Sequence, residues 1–395
     1  MGRRRLHMLM AGDVVESAGT RSYLREMIRH FSGIGVEVKC HLFQFRLNDE
    51  IPGGENHISD FEEPIHLAPG GRLFRFLPRP AYRFFERLVL WGFMHRALRE
   101  VSNADALIAT GCLGGLHLGA GKLPASSWWL KLGLIEEQTT SGLRFRVRKW
   151  VESMHARRFA NRIVVSGPMG DFIADEYGPP RAEQFILPCL VDLERFPRLP
   201  DREGLRGKLG LQGRFVFTYV GTAAPWQCVR EMVTFFSMLH KEMPHAFLWI
   251  FTPDIKPFEN LLDGLPHDCW RVEFRPHQEL ASVLPAADVA CLLRRRDIVN
   301  RVASPLKFAE YLACGLPVMI GPEVGGYSKL VQDKRLGCVI DPDAPASWPQ
   351  AVDALVDLVG DDQLRQRCRM EAGMLSWQAY TPLLGALFGG RDKVS

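Results

Sequence analysis

Apolar residues fall along this chain in two alternating patterns. Short, nearly unbroken apolar runs mark strands buried on both faces, as in parallel sheets. In the first half these runs cover residues 6–11, 36–43, 104–110, 127–132, 162–166 and 185–190. Between them, apolar positions recur every three or four residues, the period of a helix with one buried face. Residues 20–31, with Tyr23, Leu24, Met27, Ile28 and Phe31 on one side, and residues 143–160 are of this kind. A second series follows. Strands are expected at 215–220, 246–252, 272–274, 288–293, 316–320 and 338–340, with helices at 229–241, 279–286, 304–314, 349–359 and 362–374.

Repeated strand–helix alternation predicts an α/β fold with parallel sheets. Two doubly wound, Rossmann-like domains facing each other across an interdomain cleft satisfy the pattern. The first would span residues 1–192. The second would span 193–374, and residues 375–395 would return as a C-terminal helix to the first. Residues 191–209, with Pro197 and Pro200 and no sustained period, read as the linker. Residues 44–70 read as a long polar loop.

Composition changes this picture little. At 395 residues the chain is too long for one core, which agrees with two domains. Its net charge of +4 gives no reason to expect nucleic acid as a partner. Nine scattered cysteines, none in a C-x-x-C pair, read as reduced thiols of a cytoplasmic protein. The first apolar run is too short for a signal peptide or a membrane span. One segment stands apart. Residues 72–99 hold Arg72, Arg75, Arg79, Arg83, Arg87, Arg96 and Arg99 against Glu86 alone, interleaved with aromatic residues such as Phe74, Tyr82 and Trp91. Such a segment suits an anionic membrane surface, or a helix pair with a solvated arginine face. A second basic stretch, Arg144 to Arg158, adds to the first reading.

Candidate chemistry lies in the loops after strands, where open parallel sheets bind ligands. Gly19 ends the loop after the first strand and Thr20 opens the helix, without a G-x-G-x-x-G fingerprint, so they serve either a phosphate or a plain turn. The glycine-rich loop from Gly111 ends at His117, either a base or substrate contact or an ordinary loop histidine. Gly133 to Glu137 is a further loop of this kind. The richest stretch is 299–319, VNRVASPLKFAEYLACGLPVM. Ser304 is an N-cap type and Pro305 suits the first helical position, with Gly315 as the stop. Backbone donors, the Ser304 hydroxyl and the Lys307 ammonium would meet at one spot, which suits a diphosphate. Glu310, one turn on, could accept two hydrogen bonds from a ribose diol. The alternative is a surface Lys307–Glu310 ion pair. Arg294, Arg295, Arg296 and Arg301 precede the same helix.

Ser304-Pro305-Leu306-Lys307-Phe308-Ala309-Glu310-Tyr311, continuing through Gly315-Leu316-Pro317-Val318, resembles the donor-site segment of retaining GT-B fold glycosyltransferases of family 4. Val164-Val165-Ser166, Pro188 to Asp192 with Phe196, Tyr219 to Thr222 with Trp226-Gln227, and Leu284 to Ala290 are similar to other blocks of that family. The resemblance implies transfer of a sugar from a UDP- or GDP-linked donor to a glycan or lipid-linked acceptor, with retention and without a metal or cofactor. It puts Glu310 at the second glutamate of an E-x7-E motif, on the ribose, and Val302 where the first should be. Lys307 and Arg301 would contact phosphate, with Ser304, Pro305, Leu306, Gly221 and Thr222 around them and Gly19 and Thr20 closing from the first domain. The base would rest on Arg275-Pro276-His277. Loss of the first glutamate leaves two other readings open, a nucleotide-binding scaffold and a nucleotide-sugar epimerase.

Overall fold

The computed structural model describes residues 4–11, 18–43, 65–67, 101, 104–111, 123–134, 141–196, 201–356 and 360–388. The chain divides into two units. One comprises residues 1–165, 170–187 and 380–395, the other residues 166–169 and 188–379.

The first unit is built on β1 (Arg5–Ala11), α1 (Ala18–Gly33), β2 (Glu37–Phe43), β3 (Ile65–Leu67), β4 (Ala106–Thr110), β5 (Ser126–Lys131), α2 (Gly142–Arg158), β6 (Asn161–Val164), α3 (Gly167–Tyr177) and β7 (Gln184–Ile186). Its sheet is parallel, in the order β3-β2-β1-β4-β5-β6-β7. Leu6, Met8, Leu9 and Met10 of β1 are all buried, which explains a run with no alternation. The apolar face of α1, from Tyr23 to Phe31, closes one side of this core. From Tyr380 on, the last helix belongs here too: the Phe388 ring lies 5.1 Å from Phe31 and 5.6 Å from Trp128.

The second unit holds α4 (Arg202–Leu209), β8 (Phe215–Val220), α5 (Val229–Glu242), β9 (Ala246–Phe251), α6 (Ile255–Leu262), β10 (Trp270–Glu273), α7 (His277–Val283), β11 (Val289–Leu292), α8 (Ile298–Val302), α9 (Leu306–Ala313), β12 (Val318–Ile320), α10 (Tyr327–Lys334), β13 (Gly337–Val339), α11 (Trp348–Val356), α12 (Asp362–Met374) and the start of α13 (Trp377–Phe388). Its parallel sheet runs β10-β9-β8-β11-β12-β13. The sheet is covered on both faces. Phe215, Phe217 and Tyr219 pack into one core with α5, while Val216 joins Trp249, Leu292 and α9 in the other. In both sheets the order of strands reverses beside the first strand, between β1 and β4 and between β8 and β11. Those reversals are the switch points where doubly wound sheets open a crevice for ligands.

Three expectations need correction. The 44–70 stretch contains a strand, β3, too short and too polar in its flanks to show a period of two. Gly19 lies inside α1, not in the loop before it. Residues 191–209 are not a featureless linker. A turn of 3-10 helix covers Leu193–Arg195, and α4 follows, capped by the Asp201 carboxylate, which accepts from the Gly204 N–H. What fixes α4 is an ion cluster that no hydrophobic period reports. Arg202 and Arg206 both pair with Asp288, which also accepts from the Val216 N–H at 2.7 Å. The segment 72–99 and His117 lie outside the described residues, as do Ile135 to Glu137.

Asp288→Ala strips the carboxylate from the buried Arg206 guanidinium, which keeps only carbonyl partners at Ala286, Leu211 and Arg214. The expected loss is about 3–5 kcal/mol, the range for breaking a buried ion pair from one side. Urea unfolding measures it; a loss below about 1 kcal/mol would show that the cluster does not hold α4.

Candidate functional site

The site grows from the place where β8 ends. Gly221 turns the chain out of the sheet at φ +148°, a conformation that side chains disfavour. A Cβ there would stand 2.9 Å from the Tyr219 hydroxyl and 3.4 Å from Lys307 Nζ. Helix α9 meets this turn. Tyr311 Oη accepts from the Val220 N–H at 2.9 Å, and Lys307 Nζ reaches the Val220 carbonyl at 3.3 Å. Lys307 and Tyr311 are one helical turn apart, so one stripe of α9 holds both backbone groups of the last residue of β8.

Lys307 has no carboxylate partner among the described residues. Nζ donates to Gln227 Oε1 at 2.8 Å and lies 4.6 Å from the centre of the Tyr219 ring. Burial, and after it the neighbouring positive charge of Arg294, brings its ammonium from 10.5 down to about 7. An ammonium so placed is an incomplete interaction: a bound anion would restore its charge.

Glu310, one turn on, does not pair with Lys307. Its Oε1 lies 2.5 Å from His277 Nε2, at the start of α7. The surface ion pair that the spacing allowed is therefore absent. Glu310 is buried and His277 half-exposed. This contact joins the loop Arg275-Pro276-His277 to α9. Arg275 itself pairs with Glu273 and sits beside Glu279. Phe274, just before, is 60% exposed, the most open aromatic ring at this end of the sheet.

The arginines before α9 separate by partner. Arg294 is buried and donates to Asn300 Oδ1 at 3.2 Å. Arg295 pairs with Glu231 and Asp343, and Arg296 with Asp341 and Glu323. These two tie the loop after β11 to the first turn of α5 and to the loops after β12 and β13. Arg301, in the last turn of α8, is exposed and makes no ion pair among the described residues.

Helix α9 starts one residue later than its sequence suggests. Pro305, not Ser304, is the cap, and Leu306 is the first helical residue. The reason is that Ser304 Oγ is engaged elsewhere. It accepts from the Cys189 N–H at 2.8 Å and shares a hydrogen bond with Tyr327 Oη at 2.8 Å. Val302 is fully buried, and its carbonyl accepts from Ser166 Oγ at 2.7 Å. The loop after β12 passes so close that only glycine fits. A Cβ on Gly325 (φ +55°) would lie 1.7 Å from the Ala303 carbonyl, and one on Gly321 would lie 2.1 Å from the Arg294 carbonyl. The GPEVGG stretch carries this signal in sequence.

The second unit thus brings together Gly221, Thr222, Arg275, Pro276, His277, Ser304, Pro305, Leu306, Lys307 and Glu310, at the ends of β8 and β10 and along α9. Thr222 contributes its carbonyl, which accepts from Tyr219 Oη at 2.8 Å. Thr20 stands in the first turn of α1 in the first unit, next to Gly19.

Gly325→Ala and Gly326→Ala separate two effects. Both glycines have positive φ, but a Cβ on Gly326 meets open space. Gly326→Ala should lower stability by about 1 kcal/mol, the strain alone, and Gly325→Ala by clearly more, because backbone must shift. Equal losses in urea unfolding would remove the close approach to Ala303.

Comparison with known proteins bears on the second unit and on the fold. Residues 214–358, most of the second unit, match the family model described as glycosyl transferases group 1. D-inositol 3-phosphate glycosyltransferase of Corynebacterium diphtheriae is 31% identical over 130 residues, which cover 32% of this chain and 28% of that protein. This chain therefore matches less than a third of that relative's length. Among solved structures, sucrose-phosphate synthase from Thermosynechococcus elongatus superposes with a TM-score of 0.70 over 98% of both chains at 18% identity. Anabaena Alr3699/HepE in complex with UDP gives 0.71 over 97% of this chain and 98% of that one at 12% identity. Residues 214–358 of the second unit are thus similar to the glycosyl transferases group 1 family, and the chain has the two-domain, Rossmann-like GT-B fold.

Proposed function

We propose that this chain is a glycosyltransferase of the family 4 type, moving a sugar from a UDP- or GDP-linked donor to a glycan, glycolipid or other acceptor with retention. The observation that carries the reading is Lys307, a cation at the switch point of the second sheet with neutral partners and a pKa near 7. A donor diphosphate supplies the anion this ammonium lacks. The group 1 domain match and the UDP and UDP-glucose complexes of a protein of the same fold support a nucleotide-sugar donor.

In this reading Lys307 and the exposed Arg301 contact phosphate, at the turn of Ser304, Pro305 and Leu306 and beside Gly221 and Thr222. Glu310 holds the ribose, and Arg275-Pro276-His277 receives the base. Gly19, Thr20 and His117 of the first domain are candidates on sequence grounds alone. As the bond from sugar C1 to the phosphate oxygen breaks, the diphosphate keeps the electron pair and its charge grows, while C1 becomes oxocarbenium-like. Preorganised cations stabilise that charge, so no metal is required by the scheme. The acceptor oxygen then bonds to C1 on the face the diphosphate leaves, and its proton passes to the diphosphate.

Titration calorimetry with UDP and GDP, followed by nucleotide release from nucleotide-sugars, tests the reading. Binding with turnover supports transfer. Binding without turnover over a panel of donors and acceptors favours a scaffold, interconversion of donor sugars favours an epimerase, and no binding removes the site. Glu310→Ala should weaken nucleotide binding at least tenfold, about 1.4 kcal/mol. Unchanged affinity would leave Glu310 as a partner of His277 only.

Lys307 gives a pH signature. In the free protein its ammonium loses its proton around pH 7, and a bound diphosphate holds that proton on. Affinity should be level just below pH 7 and fall as pH rises from 7 toward 9, with proton uptake on binding. Lys307→Met should bind weakly and lose this slope. A slope that persists in the variant would assign it to another group.

A further inference from the structure

We propose that Arg294 is a positioning residue of the anion site: Asn300 fixes it beyond the end of β11, where it opposes the Lys307 ammonium until a diphosphate joins the two. The inference rests on the nucleotide-sugar reading for the identity of that anion and adds a residue to it.

Topology brings the two cations together. β8 and β11 are neighbours in the sheet, with Phe217 beside Val289 and Thr218 beside Ala290. Carried to the strand ends, this register sets Leu292 beside Val220, whose carbonyl accepts from Lys307 Nζ. Arg294 stands two residues past β11 and leaves the sheet alongside the Gly221 turn. Its backbone is fixed there. The Gly321 N–H donates to the Leu292 carbonyl at 3.1 Å, and a Cβ on Gly321 would lie 2.1 Å from the Arg294 carbonyl oxygen and 2.8 Å from its nitrogen.

The side chain is held as well. Arg294 is buried and donates to Oδ1 of the fully buried Asn300. The other end of that amide is committed. Asn300 Nδ2 donates to Asp297 Oδ2 at 2.7 Å and to the Arg295 carbonyl at 3.1 Å, while the Asn300 backbone N–H donates to Asp297 Oδ1 at 2.8 Å. With both amide hydrogens placed, Oδ1 is the atom that faces the guanidinium. The Asp297 carboxylate is thus turned to Asn300, and Asn300 meets Arg294 with a neutral oxygen.

The titratable and charged groups around Lys307 are Tyr219 of β8, Cys291 of β11, Glu310 of its own helix and Arg294. Burial pushes the Cys291 thiol up to about 12 and the Tyr219 hydroxyl well above its usual range, so both are neutral at pH 7. Glu310 faces His277. Desolvation is the main reason that Lys307 holds its proton loosely, and the Arg294 charge comes next, ahead of the opposing effect of Glu310. Like charges in a water-poor site repel strongly, and an anion with two or more negative charges relieves both at once. A neutral sugar offers no such relief, so the pair favours the diphosphate end of the donor.

Carbon-13 NMR titration of the full chain, labelled at lysine Cε, tests this without a nucleotide, with Lys307→Met identifying the resonance. Arg294→Gln removes the charge and should move the Lys307 midpoint upward by about half a unit or more. Arg294→Lys restores the charge and should return the midpoint to the wild-type value. The pH at which UDP affinity falls, read by calorimetry, should move upward in Arg294→Gln only. Inorganic pyrophosphate should raise the midpoint of the unaltered protein, and uridine should leave it in place. Circular dichroism melts check that the variants fold, and the pyrophosphate titration needs no variant. The proposal is overturned by an unmoved midpoint in Arg294→Gln, by equal shifts in the Gln and Lys variants, or by a midpoint that ignores pyrophosphate. A midpoint that follows the charge and pyrophosphate in a protein that binds no UDP supports the paired cations and removes the nucleotide reading alone.

Discussion

The architecture of the second unit turns on how α9 grips the last residue of β8. A strand that leaves a sheet abandons the ladder, and its final N–H and carbonyl need new partners. Tyr311 takes the Val220 N–H and Lys307 the carbonyl, from successive turns of one helix. That double contact needs the chain to turn away at once, which Gly221 allows. It also needs α9 to lie close, which the buried Phe308, Ala309 and Leu312 secure. Site geometry therefore follows from backbone hydrogen-bond accounting. Glu310 lands beside His277 because the residues on either side of it in the helix are already committed.

This explains why the site was only partly legible in sequence. The long apolar runs gave most strands, since strands buried on both faces have few alternatives. The turn, helix and carboxylate of Ser304 to Glu310 could be read from spacing and from the family resemblance. Spacing alone still could not decide between an anion site and a Lys307–Glu310 pair. The deciding partners, Val220, Gln227 and His277, come from other segments. No period in 299–319 reports them. The same holds for Ser304, whose N-cap chemistry is sound but whose hydroxyl meets Cys189 and Tyr327 instead. Helix α4 is not legible in its own segment because its anchor is Asp288, far away in sequence.

Charge follows one rule in the second unit: what matters is which cations have found a carboxylate. Arg202, Arg206, Arg295 and Arg296 are tied to acids and act as staples. The exposed pairs of Arg295 and Arg296 add little stability each, but they hold loops in place. Lys307 is different, because burial without an acid leaves its proton loosely held. A sequence shows all of these as basic residues in similar surroundings. Only the tertiary partners separate a staple from a ligand contact.

The same reasoning bears on Val302, where the family resemblance expects a glutamate. The side chain is fully buried, and its carbonyl is held by Ser166. A carboxylate placed there would enter a packed apolar position and lose its water, which is costly without new donors. The change is therefore embedded in the packing around α8. It is not a single missing group that one substitution would restore. Nor do the neighbouring arginines offer an easy replacement, since Arg294 is buried and Arg295 and Arg296 are paired. Arg301 remains, one residue before Val302 and exposed.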